Sequence, residues 1–278
     1  MFLDAQANGS GRAGPVLPAR REGGENQMGG ENVSTVINRS DDANDMLARR
    51  LRAAGSLSTM DEVMLSRLHW DVVDIPAKTD FLNEGDRPNR CCLLIDGLII
   101  RSNFTQAGER QIQSVHIPGD MPDLQSLHLK QMDHYIGTVS PCRVAFISHD
   151  AILCTLERSK DLTARFWRET LIDAALYRAI IVRNARLGST ERLAHFICEM
   201  WCRFDAVGLT DASGFPFAMT QEMVGQVLGL SIVSVNRSMQ MLRAEGLVVW
   251  DRGRIDILDW NRLAGLGQFD PTFLHLND

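Results

Sequence analysis

Residues 220–247 read TQEMVGQVLGLSIVSVNRSMQMLRAEGL and carry the clearest structural pattern in the chain. Thr220 and Ser231 are residue types that cap helix N-termini, and Gly229 and Gly246 are placed where glycines end helices. The pattern therefore predicts a first helix, a three-residue turn and a second helix.

The second predicted helix has one apolar face, which can be buried, and one polar face, which can contact a partner. Val235, Met239 and Leu242 recur at i, i+4 and i+7, so they form an apolar stripe that packs against the first helix. The other face carries hydrogen-bond donors and no acid, which suits DNA phosphates and base edges. Its residues are Ser234, Asn236, Arg237, Gln240 and Arg243.

The next segment predicts a β-hairpin. Residues 247–250 and 254–257 have the pattern of two strands, with Arg252 in the connecting turn. Residues 231–254 carry four arginines and two acids, although the whole chain has 29 basic and 35 acidic residues and a net charge of −6. Basic charge is thus concentrated where a winged helix meets DNA. A helical hairpin with an ordinary solvated face is the structural alternative.

The upstream sequence predicts a barrel. Short apolar runs within residues 72–147 are separated by turn sequences such as Pro118-Gly119-Asp120. This spacing is typical of an antiparallel barrel or jelly roll. With a short helical preface, it makes a sensor-like domain of residues 41–155.

A long helix is predicted between the two domains. Residues 150–187 contain no Gly or Pro, and within 171–182 apolar residues surround nearly the whole circumference. We therefore expect residues 156–187 to form a dimerisation helix, packed on the barrel and on a second copy. The alternative is a monomer in which the winged helix domain, residues 188–278, covers the second side.

Composition bounds the remaining possibilities. Residues 1–40 hold seven of the 22 glycines and few large apolar side chains, which predicts a disordered tail or an extension upstream of a later start at Met28 or Met46. No apolar run approaches the roughly 20 residues of a membrane span, and the six cysteines are too few for a disulfide scaffold. We expect a cytoplasmic protein with free thiols and no membrane partner.

Residues 220–247 resemble the DNA-binding half of the Crp/Fnr family of bacterial transcription regulators. The resemblance covers about residues 58–266 and extends to FLNEGD (81–86), LIDG (94–97), PGD (118–120), ERLA (191–194) and GRIDILD (253–259). It implies an α+β fold with an N-terminal cyclic-nucleotide-binding-like β-roll (jelly roll), a long dimerisation helix and a C-terminal winged helix-turn-helix. It also implies a homodimer that binds near-palindromic promoter sites in double-stranded DNA and contacts RNA polymerase.

The barrel departs from the relatives that use cyclic AMP. In those relatives a Gly-Glu pair follows Pro-Gly-Asp and an Arg-Ser-Ala run comes later, whereas here residues 121–124 read MPDL. Asp133 lies about where a phosphate-binding group is expected, and no arginine occurs between Arg110 and Arg143. Because an anion needs a charge-assisted donor, we expect no cyclic-nucleotide binding and no cofactor. The small-molecule effector stays unidentified, and a barrel that serves only as a scaffold is the alternative.

Redox and metal chemistry have weaker support in the sequence. Residues 1–90 contain no cysteine, so the four-cysteine iron–sulfur cluster of some relatives lacks its ligands. His195, Cys198 and Cys202 share a helical face, where they would either bind a metal, respond to oxidation or simply pack. Cys91 and Cys92 point to opposite faces of a strand, which excludes a mutual disulfide but allows one exposed, oxidant-sensing thiol.

The predicted recognition helix departs as well. Relatives that read the best-known operators place a charged pair after the capping serine, but Ile232 and Val233 stand here. Apolar side chains contact thymine methyl groups, so we expect a half-site less centred on G·C pairs. Arg237 matches the family's retained arginine and is the first candidate for a base or phosphate contact. The predicted DNA-binding residues are Thr220, Ser231, Ile232, Val233, Ser234, Asn236, Arg237, Gln240, Arg243 and Arg252.

These features predict a DNA-binding regulator and not an enzyme. A metal-dependent cupin-type enzyme is one alternative, since the barrel contains His116, His128 and His134. It lacks the closely spaced His-x-His and following Glu of such a site. An effector-binding adaptor, whose helix-turn-helix contacts proteins, is the other alternative.

Overall fold

The computed structural model describes residues 39–53, 55–211 and 213–276, so all but the end of the predicted tail lies outside the described residues. The helices are α1 (Arg39–Arg52), α2 (Thr59–Ser66), α3 (His149–Arg158), α4 (Lys160–Arg186), α5 (Ser189–Ala206), α6 (Gln221–Leu228), α7 (Ile232–Ala244) and α8 (Trp260–Leu266). The strands are β1 (Asp71–Ile75), β2 (Asp80–Leu82), β3 (Arg90–Asp96), β4 (Ile99–Phe104), β5 (Arg110–His116), β6 (Tyr135–Thr138), β7 (Cys142–Ser148), β8 (Gly214–Pro216), β9 (Val248–Asp251) and β10 (Arg254–Ile257). Short 3-10 turns occur at Leu124–Leu127 and Pro271–Leu274.

The predicted β-roll is confirmed. One sheet has the order β1-β7-β3 and the other has the order β2-β6-β4-β5, with antiparallel pairing throughout. Cys92 and Leu94 of β3 pack with Ile99 and Ile136 of the other sheet, while Cys91 and its neighbours on the opposite face pack against α1, α3 and α4. The strand is buried on both faces because it lies between a sheet and helices, and this explains its unbroken apolar run.

The predicted helix at 150–187 is two helices. The backbone of Ser159 is extended, with φ −137° and ψ 114°, and its hydroxyl accepts a hydrogen bond from the backbone N–H of Leu162 at 3.1 Å. Serine competes with the helical backbone in this way and favours N-caps over helix interiors. The expectation of one uninterrupted helix was therefore wrong, and the continuous long helix begins at Lys160.

The C-terminal domain is built on α5 to α8 and a small sheet of order β8-β10-β9. The predicted hairpin is β9 and β10, and the sequence pattern missed the three-residue strand β8. One hydrophobic cluster extends from the barrel, through Ile112 and Val115, into the helix-turn-helix at Val227 and Val235. The two domains therefore share a core. None of the helices in the described ranges combines the length and apolarity that crossing a bilayer requires.

Candidate nucleic-acid interface

Local sequence chemistry forms the helix-turn-helix. The hydroxyl of Thr220 accepts a hydrogen bond from Met223 N at 3.2 Å, and that of Ser231 accepts one from Ser234 N at 3.2 Å. Gly229 ends α6 with φ +63°, a left-handed conformation that glycine adopts without steric cost. The predicted caps and turn are thus where the sequence placed them.

Sequence reasoning missed the role of Gly225. A Cβ at this position would lie 2.6 Å from the carbonyl oxygen of Leu230, whose N–H donates to Gly225 O at 2.9 Å. The turn therefore closes directly over Gly225, and only a residue without a side chain fits. A glycine within an otherwise good helical segment was the available signal.

The two faces of α7 are as predicted. Val235, Met239 and Leu242 are buried in the shared core. Ile232 and Val233 begin the helix and are 54% and 65% exposed. The remaining predicted contacts on this helix are exposed, apart from the half-buried Ser234, and they are Asn236, Arg237, Gln240 and Arg243.

Some polar side chains of this face are already hydrogen-bonded within the protein, and others are not. Asn236 Nδ2 donates to Gln221 Oε1 at 3.1 Å, and Arg243 Nη2 donates to the carbonyl oxygen of Trp250 in the wing at 2.5 Å. Arg237 is exposed and makes no hydrogen bond or ion pair with any described residue. Its guanidinium is therefore available to a ligand without loss of an internal contact.

The wing adds one free arginine. Arg252 stands at the hairpin tip with φ +45° and a side chain that is 93% exposed, beside Asp251 at 3.6 Å. Arg254 is instead committed to ion pairs with Asp256 at 2.8 Å and with Asp211. Of the four arginines in residues 231–254, Arg237 and Arg252 are thus the freest.

The helix-turn-helix is attached to the rest of the molecule at the C-terminal end of α6. The last carbonyl groups of a helix have no partner within it. Here the side-chain amide of Gln111 donates to Gln226 O. Asn184 Nδ2 donates to Val227 O at 3.2 Å, and Arg192 Nη1 donates to Leu228 O at 3.2 Å. The barrel, α4 and α5 therefore each supply one donor.

Comparisons with known proteins agree with this geometry. Residues 191–266 match the family model of the Crp-like helix-turn-helix domain. The Anaerobic regulatory protein of Haemophilus influenzae is 25% identical over 192 residues, which are 69% of this chain and 74% of that protein. The Transcriptional activator protein anr of Pseudomonas aeruginosa is 25% identical over 193 residues, which are 68% of this chain and 78% of that protein. Residues 191–266 are therefore a Crp-like helix-turn-helix domain, and the chain as a whole is similar to Crp/Fnr-type regulators.

A solved structure has a similar fold. FixK2 from Bradyrhizobium japonicum superposes with a TM-score of 0.64 at 19% identity, covering 72% of this chain and 98% of that chain. The predicted fold class, a β-roll followed by a long helix and a winged helix-turn-helix, is confirmed.

A cavity of about 250 Å³ lies between the barrel and α4. Three arginines from different parts of the chain reach its wall, and each one meets a carboxylate. The pairs are Arg50–Glu169 at 2.8 Å, Arg101–Asp173 at 2.6 Å and Arg203–Asp120 at 2.7 Å. The positive charge in the wall is therefore already matched by carboxylates.

Two details of this cavity differ from the sequence expectation. Asp133 does not line it, and its side chain is exposed and bonded to His134 at 2.6 Å. Arg101 reaches the cavity from β4, outside the interval in which the sequence lacks arginine. Burial, and then the charge of Arg101, lower the pKa of His116 to about 4, so this ring is neutral near pH 7.

The cysteines and histidines show no metal site. Within the described ranges, no group of three His, Cys, Asp or Glu side chains is placed to hold an ion. His195 Nδ1 lies 3.0 Å from Gly267 O, and burial raises the pKa of Cys202 to about 12. Cys91 and Cys92 are both fully buried, so the expectation that one of them is exposed was wrong. The strand is covered on both faces, which period-2 alternation alone cannot reveal.

Proposed function

We propose that this chain is a Crp/Fnr-type transcription regulator that acts as a homodimer on near-palindromic, double-stranded promoter DNA. The observation that carries the proposal is the exposed face of α7, where donors surround an unpaired Arg237 and no acid intervenes. The protein then works by binding and not as an enzyme, without a cofactor and in the cytoplasm, where its DNA is. Contact with RNA polymerase is expected from the family resemblance.

The residue roles follow from the chemistry of base edges. Arg237 is the candidate for a bidentate bond to guanine, and Ile232 and Val233 are candidates for contacts with thymine methyl groups. Asn236 and Gln240 suit adenine. The remaining predicted contacts suit phosphates because they lie at helix N-termini, on the outer part of α7 or in the wing, and they are Thr220, Ser231, Ser234, Arg243 and Arg252.

An apolar stripe on α4 supports the homodimer. Trp167, Leu171, Ile181 and Val182 are each more than half exposed on the described chain. Apolar side chains at helical spacing on one helix are typical of a helix-to-helix interface. We propose that residues 156–187 pair with the same segment of a second copy, between a sensor-like domain at 41–155 and the DNA-binding domain at 188–278.

We also propose that the regulator does not respond to cyclic nucleotides. A nucleotide phosphate needs a charge-assisted donor, and each arginine in the cavity wall already has a carboxylate partner. Tight binding of cyclic AMP in isothermal titration would contradict this proposal.

The direct test is selection of binding sites from a random-sequence duplex library with the full chain. We expect an inverted repeat with half-sites about one helical turn apart, at about 10 base pairs centre to centre. Replacing the thymines of each selected half-site by uracil removes only the methyl groups. Affinity should fall on uracil for the wild type and stay level for the Ile232→Ser, Val233→Ser double variant. Recovery of no enriched sequence would refute the proposed function.

A further inference from the structure

The turn Pro118-Gly119-Asp120 makes a buried contact with the DNA-binding domain. Asp120 Oδ2 accepts a hydrogen bond from Arg203 Nη2 of α5 at 2.7 Å, and both side chains are almost fully buried. Arg50 of α1 approaches the same carboxylate at 3.6 Å. Burial alone would raise the pKa of Asp120, but the charges of Arg203 and Arg50 outweigh it and hold the pKa far below its usual range.

The shape of the turn also depends on this contact. Gly119 has φ +96°, and a Cβ there would lie 3.2 Å from Arg50 Cβ and 3.6 Å from a methyl group of Val207, just after α5. The turn is therefore pressed between α1 and the end of α5. Any movement of α5 relative to the barrel would have to displace it.

Polar contacts to the DNA-binding domain thus occur at the start of strand β5 and just beyond its end. At its start, the amide of Gln111 donates to the last turn of α6, and just beyond its end Asp120 binds α5. Strand β5 is an edge strand of its sheet, and α6 covers it. These two separated polar contacts fix the orientation of the DNA-binding domain relative to the barrel. The apolar core between them constrains that orientation less, because hydrophobic contact is non-directional.

We propose that Asp120 and Arg203 are positioning residues, which set the orientation of the recognition helix and thereby the half-site spacing that the dimer accepts. The inference rests on the proposed function, since spacing has meaning only for a dimer on DNA. Both side chains are almost fully buried, so they would act through α5, whose helix packs directly on α7.

The Asp120–Arg203 contact between the barrel and α5, here called the joint, leaves one buried hydrogen-bond donor without a partner. Arg203 Nε is buried and has no hydrogen-bond partner among the described residues. A buried donor without a partner costs free energy, so the docked arrangement is less favoured than its ion pairs alone suggest.

The first test measures affinity for the selected operator and for versions whose half-site spacing is changed by one or two base pairs. One base pair rotates a half-site by roughly 35° about the duplex, so the wild type should lose about tenfold or more in affinity per step. Arg203→Met should flatten this profile to about threefold or less, and Arg203→Lys should restore most of the preference because it keeps the charge. A sharp profile in Arg203→Met, or an equal loss at every spacing, would overturn the proposal.

The control is Arg101→Met. It removes an arginine of similar burial, whose ion pair joins the barrel to α4 and not to α5. Its melting temperature should fall, while its spacing profile keeps the sharpness of the wild type. Flattening in this control as well would mean that general loosening, and not the Asp120–Arg203 pair, sets the spacing.

The second test needs no DNA. Hydrogen exchange in the full chain should accelerate along β5 and the last turn of α6 in Arg203→Met, and should return toward the wild-type rate in Arg203→Lys. Unchanged exchange there would refute the positioning role. If the wild type bound no duplex but exchange changed as described, the joint would stand and the proposed function would fall.

Discussion

The dimer can be tested at one residue of α4. Ile181 is 67% exposed on the described chain, so Ile181→Asp should barely alter the stability of a single copy. In a dimer built on this face, burying an isoleucine is worth about 1.5–3 kcal/mol, and the exposed two-thirds accounts for about 1–2 kcal/mol per copy. Two copies lose about 2–4 kcal/mol, which raises the dimer dissociation constant roughly 30- to 700-fold. Enclosing two like charges adds to this loss.

Sedimentation equilibrium over a range of protein concentrations measures the dissociation constant directly. The matched control is Leu129→Asp, which places the same charge at a side chain of similar exposure, 60%, on the barrel side of the molecule. This control should leave the dissociation constant unchanged. The reasoning fails if Ile181→Asp remains as dimeric as the wild type, or if the wild type is monomeric at every concentration.

Four further substitutions test the interface and the core. Arg237→Ala should cost about 1–3 kcal/mol of specific binding in a gel-shift titration, whereas Arg252→Ala should weaken all duplexes evenly and reduce the salt slope by about 1. Gly225→Ala should lower the free energy of unfolding by about 1–3 kcal/mol because its Cβ would lie 2.6 Å from Leu230 O. The control Gly265→Ala, in open space within α8, should raise that free energy by about 0.4–1 kcal/mol. Asp123→Asn tests a pH dependence: burial raises the pKa of Asp123 to about 6, so the folded state retains a proton between about pH 4 and 6 that the unfolded chain has lost. Stability from this group is therefore present below about pH 4 and lost as pH rises through 6, so between pH 5 and pH 8 the variant should gain about 1.5 kcal/mol relative to the wild type in urea unfolding.

Hydrophobic periodicity and helix-capping residues were sufficient to predict much of the fold from the sequence. The turn at Gly229, the caps at Thr220 and Ser231, and the buried stripe of α7 depend on residues within four positions of one another. Such short-range rules hold whatever surrounds the segment. The short strand β8 was not predicted because three residues are too few to show a period. The helix break at Ser159 was not predicted because a single capping residue is a weak signal within a segment of helix-favouring composition.

Contacts between distant segments could not be read from the sequence. Asp120 and Arg203 are 83 positions apart, and Arg101 meets Asp173 across 72. Nothing in the spacing of either pair shows that the chain brings them together. The same holds for the C-terminal segment, where Leu274 packs on Ile172 and Leu176. Part of α4 is thus covered by residues of the 188–278 domain, as in the monomeric alternative, and not by the barrel or a second copy.

In the proposed homodimer, the sparse free charge on the exposed face of α7 makes DNA binding depend on dimerisation. With Arg254 in ion pairs and Arg243 bonded to the wing, Arg237 and Arg252 are the arginines of this segment freest to displace counterions. If each of these two arginines displaces one counterion, the salt slope is about −1.8 for one copy and about −3.6 for a dimer. Ile181→Asp, on a helix outside the DNA-binding domain, should therefore halve the slope measured in a salt titration and abolish the preference for the inverted repeat. A variant that is monomeric yet retains the full slope would show that other basic groups carry the affinity.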